Sequence, residues 1–268
     1  MKASDRLIQP PPRSSVAGTI IIITTVILLS VIPFSPRTGS GAAALAALLA
    51  FAAVLAREIH AFHLASFSFA LTIASSLHSS LHDWPFNLLV PILFYLAVVF
   101  TIPRYRRTLL WLRMGRFGKD TLFLVLATSV ISGIALYIWS RVVKPDLSIH
   151  LKYMPDIPLW LFPLAGLGFS AFNATMEEFV FRGVITQALD SAFGPRMMSI
   201  SVQAWLFGAM HYREGFPNGA WGLAMTFVYG IMLGSLRSRS QGLFAPWIAH
   251  VCADLVIFAI LAGSALGL

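Results

Sequence analysis

Apolar runs as long as a bilayer is thick, cut apart by short basic or proline-bearing gaps, leave this chain few ways to fold. Val16 to Phe34 carries no charged residue, and about 20 apolar residues suffice for a helix to cross the hydrocarbon core. Gly41 to Ala56, Ala61 to Leu81, Phe86 to Pro103 and Thr121 to Ser140 come next. Leu159 to about Leu189, Met197 to His211, Gly219 to Leu236 and Phe244 to Gly267 complete the series. The expectation is an all-α, polytopic membrane protein of eight or nine transmembrane helices, set in the cell (inner) membrane with lipid as its surroundings.

Charge content points the same way. Only 11% of the residues are charged, against about 25% in an ordinary soluble domain. The net charge of +8 would suggest nucleic acid in a soluble protein. Here the basic residues lie in the gaps between apolar runs, as topology-setting loops do, so no nucleic-acid partner is expected. Arg104 to Lys119 is the strongest basic loop, and the positive-inside rule assigns it to the cytoplasm. Four crossings separate it from Arg237–Arg239, which places both on one side. The single cysteine, Cys252, excludes an intramolecular disulfide. Residues 1–15 read as a polar tail. The run after them is too long for a signal-peptide core and lacks a small-residue cleavage site, so it reads as a retained helix.

Against this background Glu177, Glu178 and Arg182 stand out. An ionisable residue at the centre of a membrane helix costs about 2.5–3.5 kcal/mol by insertion scales, so it persists when paired or used. Leu159 to Leu189 is too long for one straight crossing, and a break near Gly166–Gly168 or at Asn173 is expected. On a helix Glu178 and Arg182 are four apart and can pair, with Glu preceding Arg in the better orientation. Glu177 points about 100° away, so the same partner does not hold it. Asn173 lies one turn before Glu177 on its face. One glutamate reads as structural, the other as available for chemistry.

Two later pairs share the same spacing. Phe207 and His211 are four apart, which lays the ring over the imidazole. His250 and Asp254 are four apart, and Asp254 could set the imidazole tautomer as outer-shell carboxylates do. Zinc enzymes of the His-Glu-x-x-His type place two imidazoles on one helical face. No such run occurs near these pairs, and no metal or other cofactor is expected. A second group, Glu58, His60, His63, His78, His82 and Asp83, flanks the third apolar run. Its two halves lie about 25 Å apart at 1.5 Å per residue, so these read as interfacial residues at helix ends.

The ordered set Glu177-Glu178-Phe-Val-Phe-Arg182, Phe207-Gly-Ala-Met-His211 and His250-Val-Cys-Ala-Asp254 resembles the CPBP family. That family comprises type II CAAX prenyl endopeptidases, bacteriocin-processing enzymes and bacterial Abi relatives. The resemblance covers about residues 155–260. It implies a metal-independent, glutamate-type intramembrane endopeptidase with a conical catalytic cavity between helices, built on a catalytic membrane core at 151–268. Residues 16–150 would be N-terminal transmembrane helices after the 1–15 tail. Glu177 and His211 would activate water, and His250 with residue 254 would stabilise the oxyanion. Glu178, Arg182, Phe207 and Asn173 would support them. The partner would be a peptide or protein substrate, lipid-modified or bearing a sorting tag in some relatives. Asp254 stands where the family more often has Asn, and an ionised aspartate cannot donate to an oxyanion. Either Asp254 is protonated, or it orients a cationic His250 that acts as the donor; the second reading is preferred.

A count of crossings places His211 and His250 in opposite halves of the bilayer, whereas catalysis needs them near one carbonyl. Either the helix of His211 continues through Tyr212-Arg213-Glu214, or the 244–250 stretch is deep and irregular. Both routes predict a cavity holding Glu177, His211 and His250 together. Two other classes compete: a non-catalytic scaffold or immunity factor of the same fold, and a proton-coupled transporter. The transporter would show matched inverted repeats, and no repeat is detectable.

Overall fold

The computed structural model describes residues 11–34, 39–195 and 197–267. Every regular element among them is helical. In chain order these are α1 (Val16–Val31), α2 (Gly39–Leu55), α3 (Ile59–Leu77), α4 (Phe86–Thr101) and the short α5 (Pro103–Arg106). Next come α6 (Lys119–Val143), the short α7 (Ser148–Leu151), α8 (Phe162–Glu177) and α9 (Thr186–Phe193). α10 (Met197–Glu214), α11 (Gly219–Ser240) and α12 (Phe244–Ala265) finish the chain. Six helical segments are long and apolar enough to cross a membrane, and α2 and α4 are shorter apolar helices. The chain is an all-α polytopic membrane protein.

Leu159 to Phe193 forms one helical segment of 35 residues, unbroken at Gly166–Gly168 and at Asn173. The departure from regularity falls on the charged motif itself. Between α8 and α9, Glu178–Ile185 is a π-helix, in which bonds run i→i+5. The Thr186 backbone N–H reaches back to Phe181 O, and its hydroxyl donates to the same carbonyl at 2.6 Å. π-turns are rare and concentrate at functional sites.

The helices pack around this segment. α12 lies against α8 and α6, α10 against α11, and α3 against α2 and α4. A core of Ile22, Leu64, Tyr95, Val180, Leu189, Leu206 and Phe207 runs through the N-terminal helices and into the charged motif. The N-terminal stretch is not wholly a free tail. Ser15 caps α1 by accepting from Gly18 N at 3.2 Å. Ser14 N donates to Ser191 O at 3.0 Å, and Arg13 donates to Ala192 O at 3.0 Å, so residues 13–15 dock on the end of α9. Residues 1–10 of the expected tail lie outside the described residues.

The basic loop between α5 and α6 is likewise a packed element, which we call the strap. Trp111 is only 2% exposed, and its ring lies 4.7 Å from that of Phe179. Residue 183 must be glycine for this contact, since a Cβ there would come within 2.7 Å of the indole. The strap also joins the two basic loops. Arg113 Nε donates to Gln241 O at 2.6 Å, and Arg116 N donates to Ser240 O at 2.7 Å. Both loops thus lie on one side, as the crossing count requires. Gly115 holds a positive φ of 85° with its backbone against Gly242, an approach that a side chain at position 242 would block.

The strap corrects the reading of His60 and His63. Both are buried rather than interfacial. His63 Nδ1 lies 2.8 Å from Tyr95 Oη, and its Nε2 lies 2.8 Å from Thr108 Oγ1. His60 Nδ1 lies 3.0 Å from Gln187 Nε2, and that amide donates to Thr108 O at 2.8 Å. The strap covers this end of α3, so its histidines face protein.

Candidate active site

The first charged pair forms as its spacing predicts. Glu178 and Arg182 make an ion pair of 3.0 Å, with the glutamate 1% and the arginine 0% exposed. Arg182 is held on its other side by the face of Phe207, 4.4 Å from the guanidinium carbon, and desolvation strengthens a cation–π contact of this kind. Arg237 Nε donates to the carbonyl of Arg182 at 3.2 Å, and its guanidinium bonds Asp190 at 2.8 Å. The motif helix is therefore tied to α11 at two points.

Glu178 also does something its position in sequence does not reveal. Its Oε1 lies 2.7 Å from His250 Nδ1. A carboxylate accepts, so Nδ1–H is the donor and the ring orientation is fixed. The other ring nitrogen, Nε2, faces Glu177 Oε2 at 3.4 Å and Asp254 Oδ1 at 3.7 Å. The expected roles change here: Glu178 holds the His250 ring at Nδ1, and Asp254 lies beyond hydrogen-bond reach of the ring. One imidazole meets both glutamates, each at its own nitrogen, so the 100° between them divides their contacts without giving them separate partners.

Asp254 is instead linked to Asn173. The Asn173 amide donates to Asp254 Oδ2 at 3.1 Å and to Glu177 Oε1 at 3.3 Å. Trp84 Nε1–H donates to Asn173 Oδ1 at 3.0 Å. Glu177 Oε2 receives no hydrogen bond among the described residues, although Glu177 lines the cavity. Its nearest charged neighbour is the imidazole of His250, at 3.4 Å.

His211 is oriented from its own helix. Its Nδ1–H donates to Phe207 O at 2.9 Å, which leaves Nε2 as the acceptor, and the Phe207 and His211 rings are 4.7 Å apart. α10 runs on to Glu214, so the first of the two predicted routes is the one taken. Phe207 bridges the two histidines, since its ring is also 6.0 Å from that of His250. The ion-pair partner of Glu177 is His250 rather than His211. Glu177, His211, His250, Asp254, Asn173 and Phe207 nevertheless line a single cavity of about 730 Å³. Tyr229 closes one side, with its ring 5.7 Å from His250 and its hydroxyl donating to Ala249 O at 3.0 Å.

Sequence reasoning missed Trp84, Tyr229 and the contact between Glu178 and His250. Trp84 sits in a loop without a motif, and Tyr229 lies between motifs, so neither carries a local signal. Among the described residues no group of three or more His, Cys, Asp or Glu is arranged to hold a metal ion.

No curated protein and no solved structure gives a match to this chain. The family described as type II CAAX prenyl endopeptidase Rce1-like matches residues 158–256. That family is one of CAAX-type membrane proteases, which act on peptide or protein substrates. The stretch from Asn173 to Asp254 that supplies both glutamates and both histidines lies within the matched segment, in agreement with the CPBP resemblance of its three motifs.

Proposed function

We propose that the chain is a glutamate-type intramembrane endopeptidase that hydrolyses a peptide bond near the membrane face. The observation that carries this reading is that Glu177, His211 and His250 line one cavity, with Glu177 Oε2 in no hydrogen bond among the described residues. Water held between Glu177 Oε2 and His211 Nε2 attacks the scissile carbonyl carbon and passes a proton to Glu177. The carbonyl π electrons move to oxygen, and the resulting oxyanion is met by the Nε2–H of a doubly protonated His250, whose Nδ1–H is held by Glu178. A donor of this kind is worth about 2.7–4 kcal/mol to the transition state. The tetrahedral intermediate collapses as the C–N bond breaks, and Glu177 returns the proton to the leaving amine. Asp254 makes no donor contribution and acts on the arrangement through Asn173.

The cavity walls include Leu71, Leu88, Phe169, Met225, Ile257 and Leu261, which suits apolar residues or a lipid modification beside the cleaved bond. Prenylated CAAX tails, leader peptides and C-terminal sorting tags are the substrate types that the resemblance implies. The test is incubation of the purified protein with a library of membrane-anchored peptides, beside Glu177→Ala and His211→Ala. A general base contributes about 10²–10⁴-fold, so each variant should lose at least a hundredfold in turnover. Equal cleavage by both variants, or none by the parent protein, would return the chain to the scaffold class.

A further inference from the structure

Asn173 is shared by two carboxyl groups, and its own orientation is dictated from outside the Rce1-like segment. An amide side chain can be flipped without changing its shape, so its polarity is set by its partners. Trp84 settles it here. An indole N–H only donates, so the atom 3.0 Å from Trp84 Nε1 is the carbonyl oxygen of Asn173. The NH₂ group then faces Glu177 Oε1 at 3.3 Å and Asp254 Oδ2 at 3.1 Å. The second oxygen of each carboxyl group faces His250 Nε2, at 3.4 Å for Glu177 and 3.7 Å for Asp254. Two carboxyl groups are thereby spanned on one side by an amide and on the other by an imidazole.

Trp84 is itself anchored. Its ring lies 5.1 Å from that of Phe169, 6.3 Å from Phe172 and 6.2 Å from Tyr153. The preceding residue, Asp83, accepts from Lys152 Nζ at 3.1 Å and from the Tyr153 hydroxyl at 2.9 Å. This clasp ties the loop before α4 to the loop before α8. Trp84, Tyr153 and Asn173 all line the cavity.

We propose that Trp84 is a positioning residue: it locks the Asn173 amide so that Glu177 and Asp254 are held as a pair with Glu177 Oε2 turned to His250. The inference rests on the proposed reading of Glu177 as the base. It also assigns Asp254 a use that needs no proton on it. What the site requires is one amide and two carboxyl groups over three positions, 173, 177 and 254.

That requirement can be tested by exchange. Asn173→Asp places three carboxyl groups together, and Asn173→Asp with Asp254→Asn restores the count while leaving Trp84 an acceptor at 173. On a cleaved peptide, Trp84→Phe should lower kcat by about 10- to 100-fold with KM within about twofold, since small misplacements of catalytic groups act at this level. Its pH–rate profile should also shift. Asn173→Asp should lose about 100-fold or more, and the exchange variant should return to within about tenfold of the parent. Parent-like kcat and pH profile in Trp84→Phe, or an exchange variant that folds but is as inactive as Asn173→Asp, would overturn the proposal. A second readout separates this from failure of the peptidase reading. In protein carrying ¹⁵N-labelled tryptophan, the Trp84 indole N–H resonance should move in Asn173→Leu and respond to Glu177→Gln. An indole signal indifferent to both substitutions would overturn the positioning contact even if no peptide were cleaved.

Discussion

Glu178 Oε1 and His250 Nδ1 lie 2.7 Å apart, joining the second residue of the first motif to the first residue of the third across two helices. The same carboxylate is 3.0 Å from Arg182, so it serves a fully buried cation and an imidazole together. Removing one member of a buried pair leaves the other charge uncompensated, at about 3–5 kcal/mol. Glu178→Ala should therefore unfold at markedly lower denaturant in detergent micelles. Glu178→Ala with Arg182→Met should recover part of that stability and none of the activity. A double variant no more stable than the single one would contradict the pairing.

The strap makes a separate prediction about stability. A leucine at position 183 would drive its Cβ into the Trp111 ring, and overpacking of this sort costs about 1–3 kcal/mol. Gly183→Leu should lower the thermal midpoint, and adding Trp111→Ala should reverse part of the loss. Strictly additive effects would mean that the two residues do not touch.

His63 bonds the Tyr95 hydroxyl on one edge and Thr108 on the other, both at 2.8 Å. Tyr95 is fully buried, so His63→Leu orphans its hydroxyl at about 1–3 kcal/mol. Adding Tyr95→Phe should restore stability relative to the single variant. Chemical denaturation of the three proteins measures this directly, and a further drop in the double variant would refute it.

The clasp at Asp83 responds to pH in a definite sense. The hydrogen bond from Lys152, together with the next largest influence, that from Tyr153, holds the Asp83 carboxyl below its ordinary value of 3.8. Lys152 is raised above 10.5, first by its contact with Tyr153 and then by Asp83. A depressed acid stabilises the fold above its unfolded value and loses that contribution as pH falls through its folded one. The raised amine contributes below its unfolded value and loses its share as pH climbs through its folded one. The gap in thermal midpoint between the parent protein and Asp83→Asn should thus be flat from pH 5 to pH 9 and close below about pH 3.8. High salt should shrink it, since the pair is exposed. A gap that opens on acidification would have the wrong sign.

Much of this was legible from residues alone. Hydropathy located the helices because lipid penalises charge wherever it falls along a span. The i,i+4 spacings exposed Glu178–Arg182 and Phe207–His211, since each pair lies on one helix. Contacts between helices left no such trace, and Glu178–His250 spans 72 residues. His250 and Asp254 show the limit of spacing: they share a face, yet the ring is held by Glu178. The strap was hidden by its arginines, which read as a solvated loop around one buried tryptophan. His60 and His63 were misplaced for the same reason, because the element that buries them was not recognised as packed.

The π segment has a consequence for the motif helix as a whole. With i→i+5 bonding, each hydrogen bond spans one residue more than in an α-helix, so the segment alters the rotational phase of α9 relative to α8. On the α8 side, Asn173 and Glu177 face the cavity. On the α9 side, Gln187 meets the strap, and Asp190 meets Arg237. The helix behaves as a shaft keyed at both ends, and the wide turns set the angle between the keys. A one-residue deletion within 178–185 could leave the helix continuous while turning one key out of its slot.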